Sequence, residues 1–184
     1  MNRNKPGLQP SFHARIPHGD DRQRRVCDHC GFVDYENPRI IVGSVAVREG
    51  RVLLCRRAIN PRRGFWTLPA GFMEKGESPA EGAQREAWEE ARARLEPDRL
   101  LGVYSLPHIG HVQMIYRAQL LSDTVEPGPE SMEVDLFRFD ALPEDIAFPT
   151  VIWALRHYLE TREQSDFTPR SLPLEDVERA PTGL

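Results

Sequence analysis

The stretch GFMEKGESPAEGAQREAWEEA, residues 71–91, places a glycine-containing turn directly before a glutamate-rich segment. Ser78 is a candidate N-cap, Pro79 takes the first helical position, and Glu81 follows three residues after the cap. This order is the signature of a capping box at a helix start. It predicts a helix over residues 79–94, and the function of its many glutamates is the question that the rest of the sequence has to answer.

Small apolar residues recur along this segment at three- and four-residue spacing. They are Ala80, Ala83, Ala87, Ala91 and Leu95. Such a stripe forms one face of a helix, and its small side chains allow the helix to lie close to a sheet. The glutamates then occupy a different face.

Three glutamates of the segment are spaced so that one helix face collects them. Glu89 and Glu90 follow Glu86 by three and four residues, so the three carboxylates can converge on one point. Clustered carboxylates repel one another, and they are the hard oxygen ligands that Mg²⁺ and Mn²⁺ prefer. Arg85 can pair with Glu77 or Glu89 and orient such a ligand. The alternative is a solvated acidic face with ordinary intrahelical pairs.

The remaining segments predict strands and a second helix around the first one. RIIVGSVAVREGRVLLCRRA predicts a hairpin with strands near 40–48 and 51–57, and FWTLPAGF predicts a short strand that enters a turn. RLLGVYSLP, HVQMIYRAQLL and EVDLFRFDAL predict three more strands, and AFPTVIWALRHYLETRE predicts a helix of about 15 residues. Mixed strands with two helices indicate an α/β sandwich.

Composition bounds the organisation of the chain. With 184 residues, of which 40% are hydrophobic, the chain suits one main domain with a small appendage. We predict an N-terminal tail and knuckle over 1–37, the main domain over 38–163 and a loose, proline-rich tail over 164–184.

Charge and hydropathy exclude several classes of function. The 24 Lys and Arg residues are scattered among 28 Asp and Glu, so nothing suggests a nucleic-acid partner. No segment approaches a membrane span and the polar start lacks the apolar core of a secretory signal, so we expect a cytoplasmic protein without a membrane partner. A small anionic ligand held through metal ions fits better. The residues leave the oligomeric state open, a homodimer included.

The spacing of the whole stretch resembles the Nudix box, Gly-x5-Glu-x7-Arg-Glu-U-x-Glu-Glu-x-Gly-U, in which U is a bulky aliphatic residue. Six of its seven charged or glycine positions are met. They are Gly71, Glu77, Arg85, Glu86, Glu89 and Glu90. The final glycine is replaced by Arg92, and we expect from its loss that the helix runs on to about Leu95.

The resemblance to Nudix hydrolases implies an α/β/α sandwich with a mixed sheet and Mg²⁺-dependent (or Mn²⁺-dependent) cleavage of a nucleoside diphosphate linked to another moiety. Position by position, it implies Glu86 and Glu90 as the principal metal ligands, Glu89 as a further ligand or water-binding catalytic residue, and the Ala70 carbonyl as a backbone ligand. Arg85 would brace them together with Glu77.

Further stretches resemble a subgroup of Nudix proteins with an N-terminal zinc ribbon, which includes ADP-ribose and FAD pyrophosphatases. They are IPHGDDRQRRVCDHCGFVDYENPRIIVG, LPHIG and PGPESMEVDLFRFDALP. The acidic loop GPESME resembles the loop that, in this subgroup, supplies an extra glutamate facing the metals. Glu130 is the first choice for the general base or an additional ligand, and Glu133 is the second. The alternative is that both residues sit at a strand entrance without a catalytic role.

The ribbon is incomplete in this chain. Cys27-x2-Cys30-Gly31 forms one knuckle, but a structural zinc site requires four ligands, and no second CxxC is present. His13 and His18 could complete a Cys2His2 set; a relic half-site without Zn²⁺ is the preferred interpretation.

Aromatic and basic side chains supply candidates for substrate binding. Phe72, Tyr104 and Phe148 could stack on an adenine or flavin ring, although core packing is an equal alternative. Arg39, Arg57 and Arg63 could meet phosphates, although solvated arginines are the commoner case.

Two functions from different classes remain. The first is a Nudix pyrophosphohydrolase acting on ADP-ribose or FAD, with NADH, dinucleoside polyphosphates and nucleoside triphosphates as alternative substrates. The second is a degenerate Nudix fold that acts as a nucleotide sensor or interaction module. The intact carboxylate set favours the enzyme.

Overall fold

The computed structural model describes residues 11–172, and the chain separates between Asn37 and Pro38 into two compact units. The first unit is a small antiparallel sheet in which the central strand pairs with both neighbours. Its strands are β1 (Phe12–Arg15), β2 (Arg24–Cys27) and β3 (Val33–Asp34).

Within residues 38–172 the second unit contains seven strands and two α-helices, in the order that the hydrophobic pattern predicts, with two short strands where the sequence predicts one. Its strands are β4 (Arg39–Arg48), β5 (Arg51–Arg57), β6 (Trp66–Thr67), β7 (Ala70–Phe72), β8 (Leu95–Leu106), β9 (His111–Leu120) and β10 (Ser131–Arg138). Its helices are α1 (Pro79–Ala91) and α2 (Pro149–Thr161), and a single 3-10 turn spans Pro107–Ile109. Within residues 11–172 no helix is long and apolar enough to cross a membrane.

The sheet of this unit is mixed. Its strand order is β10-β5-β4-β9-β8; β4 and β9 are parallel, and the other neighbouring pairs are antiparallel. β4 and β5 pair only beside their connecting turn, at Val47 with Val52 and at Arg48 with Arg51. Beyond that point they diverge, and the segment between them fills the gap, because β6 pairs with β5 and β7 pairs with β4. This insertion brings residues 70–72 to the middle of the sheet, next to α1.

The two helices cover opposite faces of the sheet. Side chains of successive strand residues point to opposite faces, so Val45 and Leu54 belong to one apolar cluster, whereas Ala46 and Leu53 belong to the other. The first cluster includes Val151, Ala154 and Leu155 of α2, and the second includes Ala87 and Ala91 of α1. The α/β/α sandwich predicted from the sequence is therefore confirmed.

Helix α1 ends earlier than the sequence predicts. The expected continuation to residues 94–95 is wrong: Arg92 adopts a left-handed conformation with φ 52°, and Leu95 already belongs to β8. The Arg92 and Ala93 N–H groups donate to the Trp88 and Ala87 carbonyls, which closes the helix as a glycine commonly does. An arginine thus occupies the conformation that the Nudix box reserves for glycine.

The expected loose tail over 164–184 is wrong for its first nine residues. Arg170 forms a parallel bridge with Gly102, and its N–H donates to the Leu101 carbonyl at 2.8 Å. Phe167 and Leu172 pack against the apolar cluster under α2. Burial of two large side chains and pairing with the edge of β8 explain why this segment is ordered. Residues 173–184 lie outside the described part of the chain.

Candidate active site

The start of α1 is fixed by its own sequence. The Ser78 side chain accepts the Glu81 N–H at 3.3 Å, and the Glu81 carboxylate accepts the Ser78 N–H at 2.7 Å. This is the predicted capping box, and it satisfies two backbone donors that the helix leaves free. The capping box fixes the residue at which the helix begins, and with it the helix face on which the later glutamates lie.

The predicted carboxylates line one cavity. Glu86 and Glu90 are buried, with 8% and 7% of their surface exposed, whereas the Glu89 side chain is 53% exposed at the rim. All three line an open cavity of about 720 Å³. A merely solvated acidic face would not bury two ionisable groups, because burial of a carboxylate costs free energy unless another charge compensates it.

Arg85 holds most of this carboxylate cluster together. Its Nε and Nη2 donate to the two carboxylate oxygens of Glu77 at 2.9 and 2.8 Å. Its Nη1 donates to Glu86 at 2.7 Å and to Glu89 at 3.0 Å. Arg85 thus reaches Glu77, Glu86 and Glu89, but its contacts do not include Glu90. The bracing role that the sequence suggests for Arg85 and Glu77 agrees with these contacts.

Glycine is required at position 71 by close approach. A Cβ atom on Gly71 would lie 2.4 Å from both carboxylate oxygens of Glu86. The absence of a side chain therefore makes room for the Glu86 carboxylate against the backbone of β7. Ala70, the residue before it, donates its N–H to Glu90 at 3.1 Å. The turn and the helix face are thus fitted to each other through backbone contacts.

The pKa values of the carboxyl groups in this cluster are shifted in opposite directions. Hydrogen bonds from Arg85 and from the Glu74 N–H lower the pKa of Glu77 to about 2. Burial, with the charges of Glu86 and Glu130 added, raises the pKa of Glu90 to about 8. Burial likewise raises the pKa of Glu86, against the opposing effect of Arg85. Glu86 and Glu90 therefore lack the full set of positive partners that would favour their ionised forms.

This charge balance fits a divalent cation. Within residues 11–172, the observed side-chain positions bring no three Asp, Glu, His or Cys residues into a group that could hold a metal ion. The donor set has the right chemistry nonetheless: Glu86 and Glu90 are buried oxygen donors, and Gly71 leaves space beside the first of them. Mg²⁺ and Mn²⁺ prefer such hard oxygen ligands, and either ion would offset the excess charge.

The acidic loop contributes one of its two candidate glutamates. Glu130 lines the cavity, and its charge is among the causes that raise the pKa of Glu86 and Glu90. Glu133, the second choice, lies elsewhere: it pairs with Arg56 at 3.2 Å across the β10 and β5 strands. The ladder shifts register between Ser131 and Glu133. The position of Glu133 outside the cavity contradicts the expectation that it could serve as the base or as an additional metal ligand.

Two of the three aromatic candidates line the cavity. Phe72 is 48% exposed, with the His111 ring edge-on at 5.5 Å and the Arg39 guanidinium over it at 5.5 Å. Phe148 lies beneath the Arg57 guanidinium at 5.3 Å. Rings that are partly exposed in a cavity offer apolar faces to a flat ligand.

The other candidates divide between the cavity and the rest of the molecule. Tyr104 is wrong as a stacking residue, because it is fully buried in the core with its hydroxyl 2.8 Å from His157 Nδ1. Arg57 lines the cavity and donates to the Pro61 carbonyl at 2.7 Å. Arg39 and Arg63 are not among the lining residues, although the Arg39 guanidinium lies over the Phe72 ring.

The sequence did not single out His111 and Gln113, which line the cavity from the start of β9. Burial and the nearby Arg39 and His108 charges lower the pKa of His111. The sequence does place these two polar residues at alternate positions at the start of a predicted strand. This pattern indicates that both side chains lie on the same face of the sheet.

The N-terminal knuckle retains its turn, but within residues 11–37 its Cys, His, Asp and Glu side chains form no group of three that could hold a metal ion. The Cys27 thiol accepts backbone N–H groups of Cys30 and His29, which lower its pKa. Cys27 is buried and Cys30 is exposed. His13, a candidate third ligand, instead pairs with Asp28. Residues 1–10 contain no Cys, His, Asp or Glu that could complete the set.

Comparison with known families identifies the class. The NUDIX domain model matches residues 37–159, and the zinc-ribbon model described as Nudix N-terminal matches residues 10–36. The chain therefore belongs to the Nudix hydrolase family.

Individual relatives agree with this assignment. A NUDIX hydrolase from Nitrosomonas europaea has a solved structure that is 45% identical, with a TM-score of 0.83 over 91% of this chain and 96% of that one. The ADP-ribose pyrophosphatase of Methanocaldococcus jannaschii is 32% identical over 60% of this chain and 68% of its own length. The NAD-capped RNA hydrolase NudC of Edwardsiella ictaluri is 32% identical over 68% of this chain, which spans about half of that protein (49%).

Proposed function

We propose that the protein hydrolyses the pyrophosphate of a nucleoside diphosphate derivative, with ADP-ribose or FAD as the substrate. The products are AMP and either ribose 5-phosphate or FMN. The observation that carries this proposal is the convergence of Glu86, Glu89, Glu90 and Glu130 on one cavity that the Phe72 and Phe148 rings also line. Similarity to an ADP-ribose pyrophosphatase supports the choice of substrate.

Glu86, Glu89 and Glu90, with the Ala70 carbonyl, would hold Mg²⁺ or Mn²⁺, and the bound ion would offset the charge of the pyrophosphate and polarise the P–O bond. Arg85 keeps the Glu86 and Glu89 carboxylates in their orientations through its Nη1 hydrogen bonds. The protein's own contribution is thus position and field, which require no covalent intermediate.

Glu130 is the general base of the proposed reaction. It removes a proton from the attacking water as the water oxygen bonds to phosphorus, and the bond between phosphorus and the bridging oxygen breaks. Phe72 and Phe148 offer ring faces to the adenine or flavin, and Arg57 faces the phosphates from the same cavity.

The proposal is tested by a substrate panel assayed in Mg²⁺. ADP-ribose, FAD, NADH, diadenosine polyphosphates and nucleoside triphosphates are incubated with the protein, products are separated by chromatography, and phosphate is scored after phosphatase coupling. Glu90→Gln, purified identically, controls for contaminating hydrolases. We expect AMP with ribose 5-phosphate or FMN. Release of free adenine or nicotinamide, or binding without turnover as in a nucleotide sensor, would contradict the proposal.

A further inference from the structure

The acidic loop before β10 is bound to the end of α1 by backbone hydrogen bonds. The Glu126 N–H donates to the Ala91 carbonyl and the Gly128 N–H donates to the Glu90 carbonyl, both at 2.9 Å. The last carbonyls of a helix have no partner within the helix itself. Here a loop more than thirty residues further along the chain supplies two of the missing donors.

Gly128 makes this contact closer than any other residue could. A Cβ atom at position 128 would lie 1.6 Å from the Glu89 carbonyl oxygen and 2.7 Å from its carbonyl carbon. Both neighbours are backbone atoms of the helix, so a side chain could not be accommodated by a rotamer change. Any other residue at this position would push the loop away from α1.

Gly128 also begins the turn that carries Glu130. The Ser131 N–H donates to the Gly128 carbonyl at 3.1 Å, which closes a four-residue turn with Pro129 at its second position. On the other side, the Glu130 carbonyl accepts the Ala58 N–H at 2.8 Å. Glu130 is thus held between two fixed points, one on α1 and one directly after β5.

We propose that Gly128 is a positioning residue for the hydrolysis, because its close contact with the end of α1 sets the distance of the Glu130 carboxylate from Glu86 and Glu90. The inference rests on the proposed function of Glu130 as the base. It couples the end of the metal-binding helix to the base through backbone contacts alone. A displacement of about 1 Å at this point is enough to lower the rate on the order of a hundredfold.

The test is a double-mutant cycle on the substrate with the highest turnover, with kcat and KM measured separately. Gly128→Ala is expected to lower kcat by about a hundredfold with little change in KM. Because this loss acts through Glu130, Gly128→Ala/Glu130→Gln is expected to have the same kcat as Glu130→Gln alone. Losses that multiply in the double variant would overturn the proposal, since Gly128 would then act independently of Glu130.

Two further variants keep the test decisive if the alanine perturbs folding. Pro129→Gly adds no bulk but loosens the turn, so it should lower kcat in the wild-type background and have no effect beside Glu130→Gln. Pro127→Ala, in the same loop, is the control and should retain wild-type kcat. Equal kcat in Pro129→Gly and wild type would contradict the proposal.

Amide hydrogen exchange tests the contact without any turnover. The amide at position 128 should exchange slowly in the wild type and faster in Gly128→Ala, whereas exchange in α2 should not change. Wild-type protein that turns over no substrate of the panel would remove the proposed function but leave this measurement intact. Rapid exchange at position 128 in the wild type would refute the contact itself.

Discussion

The carboxyl group in the segment before α1 and the one in the last turn of α1 differ in burial, in hydrogen bonding and in the direction of their pKa shifts. Glu77, before the helix, accepts two hydrogen bonds from Arg85 and has a pKa of about 2. Glu90, near the helix end, is buried, accepts a single amide N–H from Ala70 and has a pKa of about 8. The protein alone stabilises the ionised form of Glu77, whereas it destabilises the ionised form of Glu90.

The difference separates a structural brace from a binding site. A carboxylate that is paired and hydrogen-bonded contributes to stability, and its loss weakens the fold. A buried carboxylate with raised pKa is kept at a cost in stability, which is common where a ligand or a reaction uses the charge.

Removal of divalent cations should have the largest effect. In excess EDTA, hydrolysis of the best substrate should fall to background, because the repelling carboxylates of α1 have no catalytic arrangement without a cation. Addition of Mg²⁺ or Mn²⁺ should restore the rate. Undiminished turnover in excess chelator would remove the proposed mechanism.

Glu90→Gln should lower kcat by a hundredfold or more, the equivalent of about 3 kcal/mol of transition-state stabilisation. Glutamine retains the size of the side chain but not the charge that holds the cation. In EDTA the variant should melt at the wild-type temperature or slightly above it, because the buried charge is a cost to the metal-free fold. Glu133→Gln is the matched control and should retain hydrolysis, since Glu133 pairs with Arg56.

Glu77→Gln should instead lower stability, by about 1 kcal/mol for a partly exposed pair. The folded-state pKa of about 2 lies below the ordinary value of 4.5, so the contribution is present above pH 4.5 and is lost as the pH falls towards 2. Urea denaturation in EDTA should therefore separate the variant from wild type at pH 6 and bring the two together only as the pH approaches 2. A difference that grows on acidification has the wrong sign for this account. Glu74→Gln controls for removal of one carboxylate.

Arg92 should give the smallest effect. Its left-handed conformation costs roughly 1 kcal/mol, which a glycine avoids, but the guanidinium also lies over the Trp88 ring at 5.7 Å. Arg92→Gly should therefore remain within about 0.5 kcal/mol of wild type, while Arg92→Ala, which keeps the strain and loses the stacking, should be less stable. Urea denaturation of the three proteins gives the order. A glycine variant less stable than the alanine variant would contradict the assignment of strain.

The start of α1 and its carboxylate face could be predicted from the sequence because their determinants are local. Ser78, Glu81 and the spacing of Glu86 and Glu90 all act within a few turns of one helix. The end of α1 could not be predicted in this way. The loss of the box glycine suggested a longer helix, but Arg92 itself adopts the left-handed conformation that ends it, and a distant loop supplies the Glu126 and Gly128 N–H donors for the last carbonyls.

The remaining errors have similar physical causes. Tyr104 lies on a strand whose two faces are both covered, so its burial depends on how α2 packs. Glu130 lines the cavity and Glu133 does not, and the ladder between β10 and β5 shifts register between them. No local sequence pattern reveals such a shift. The order of residues 164–172 follows from pairing with β8, an interaction between segments about 65 residues apart.

Mn²⁺ binding, measured by electron paramagnetic resonance of the free ion, tests the central claim most directly. Wild-type protein, Glu90→Gln and Glu77→Gln are titrated without substrate. The account predicts that Glu90→Gln weakens Mn²⁺ binding at least about tenfold and more than Glu77→Gln does, because Glu90 is a ligand and Glu77 only braces Arg85. Equal Mn²⁺ affinity in wild type and Glu90→Gln would contradict it.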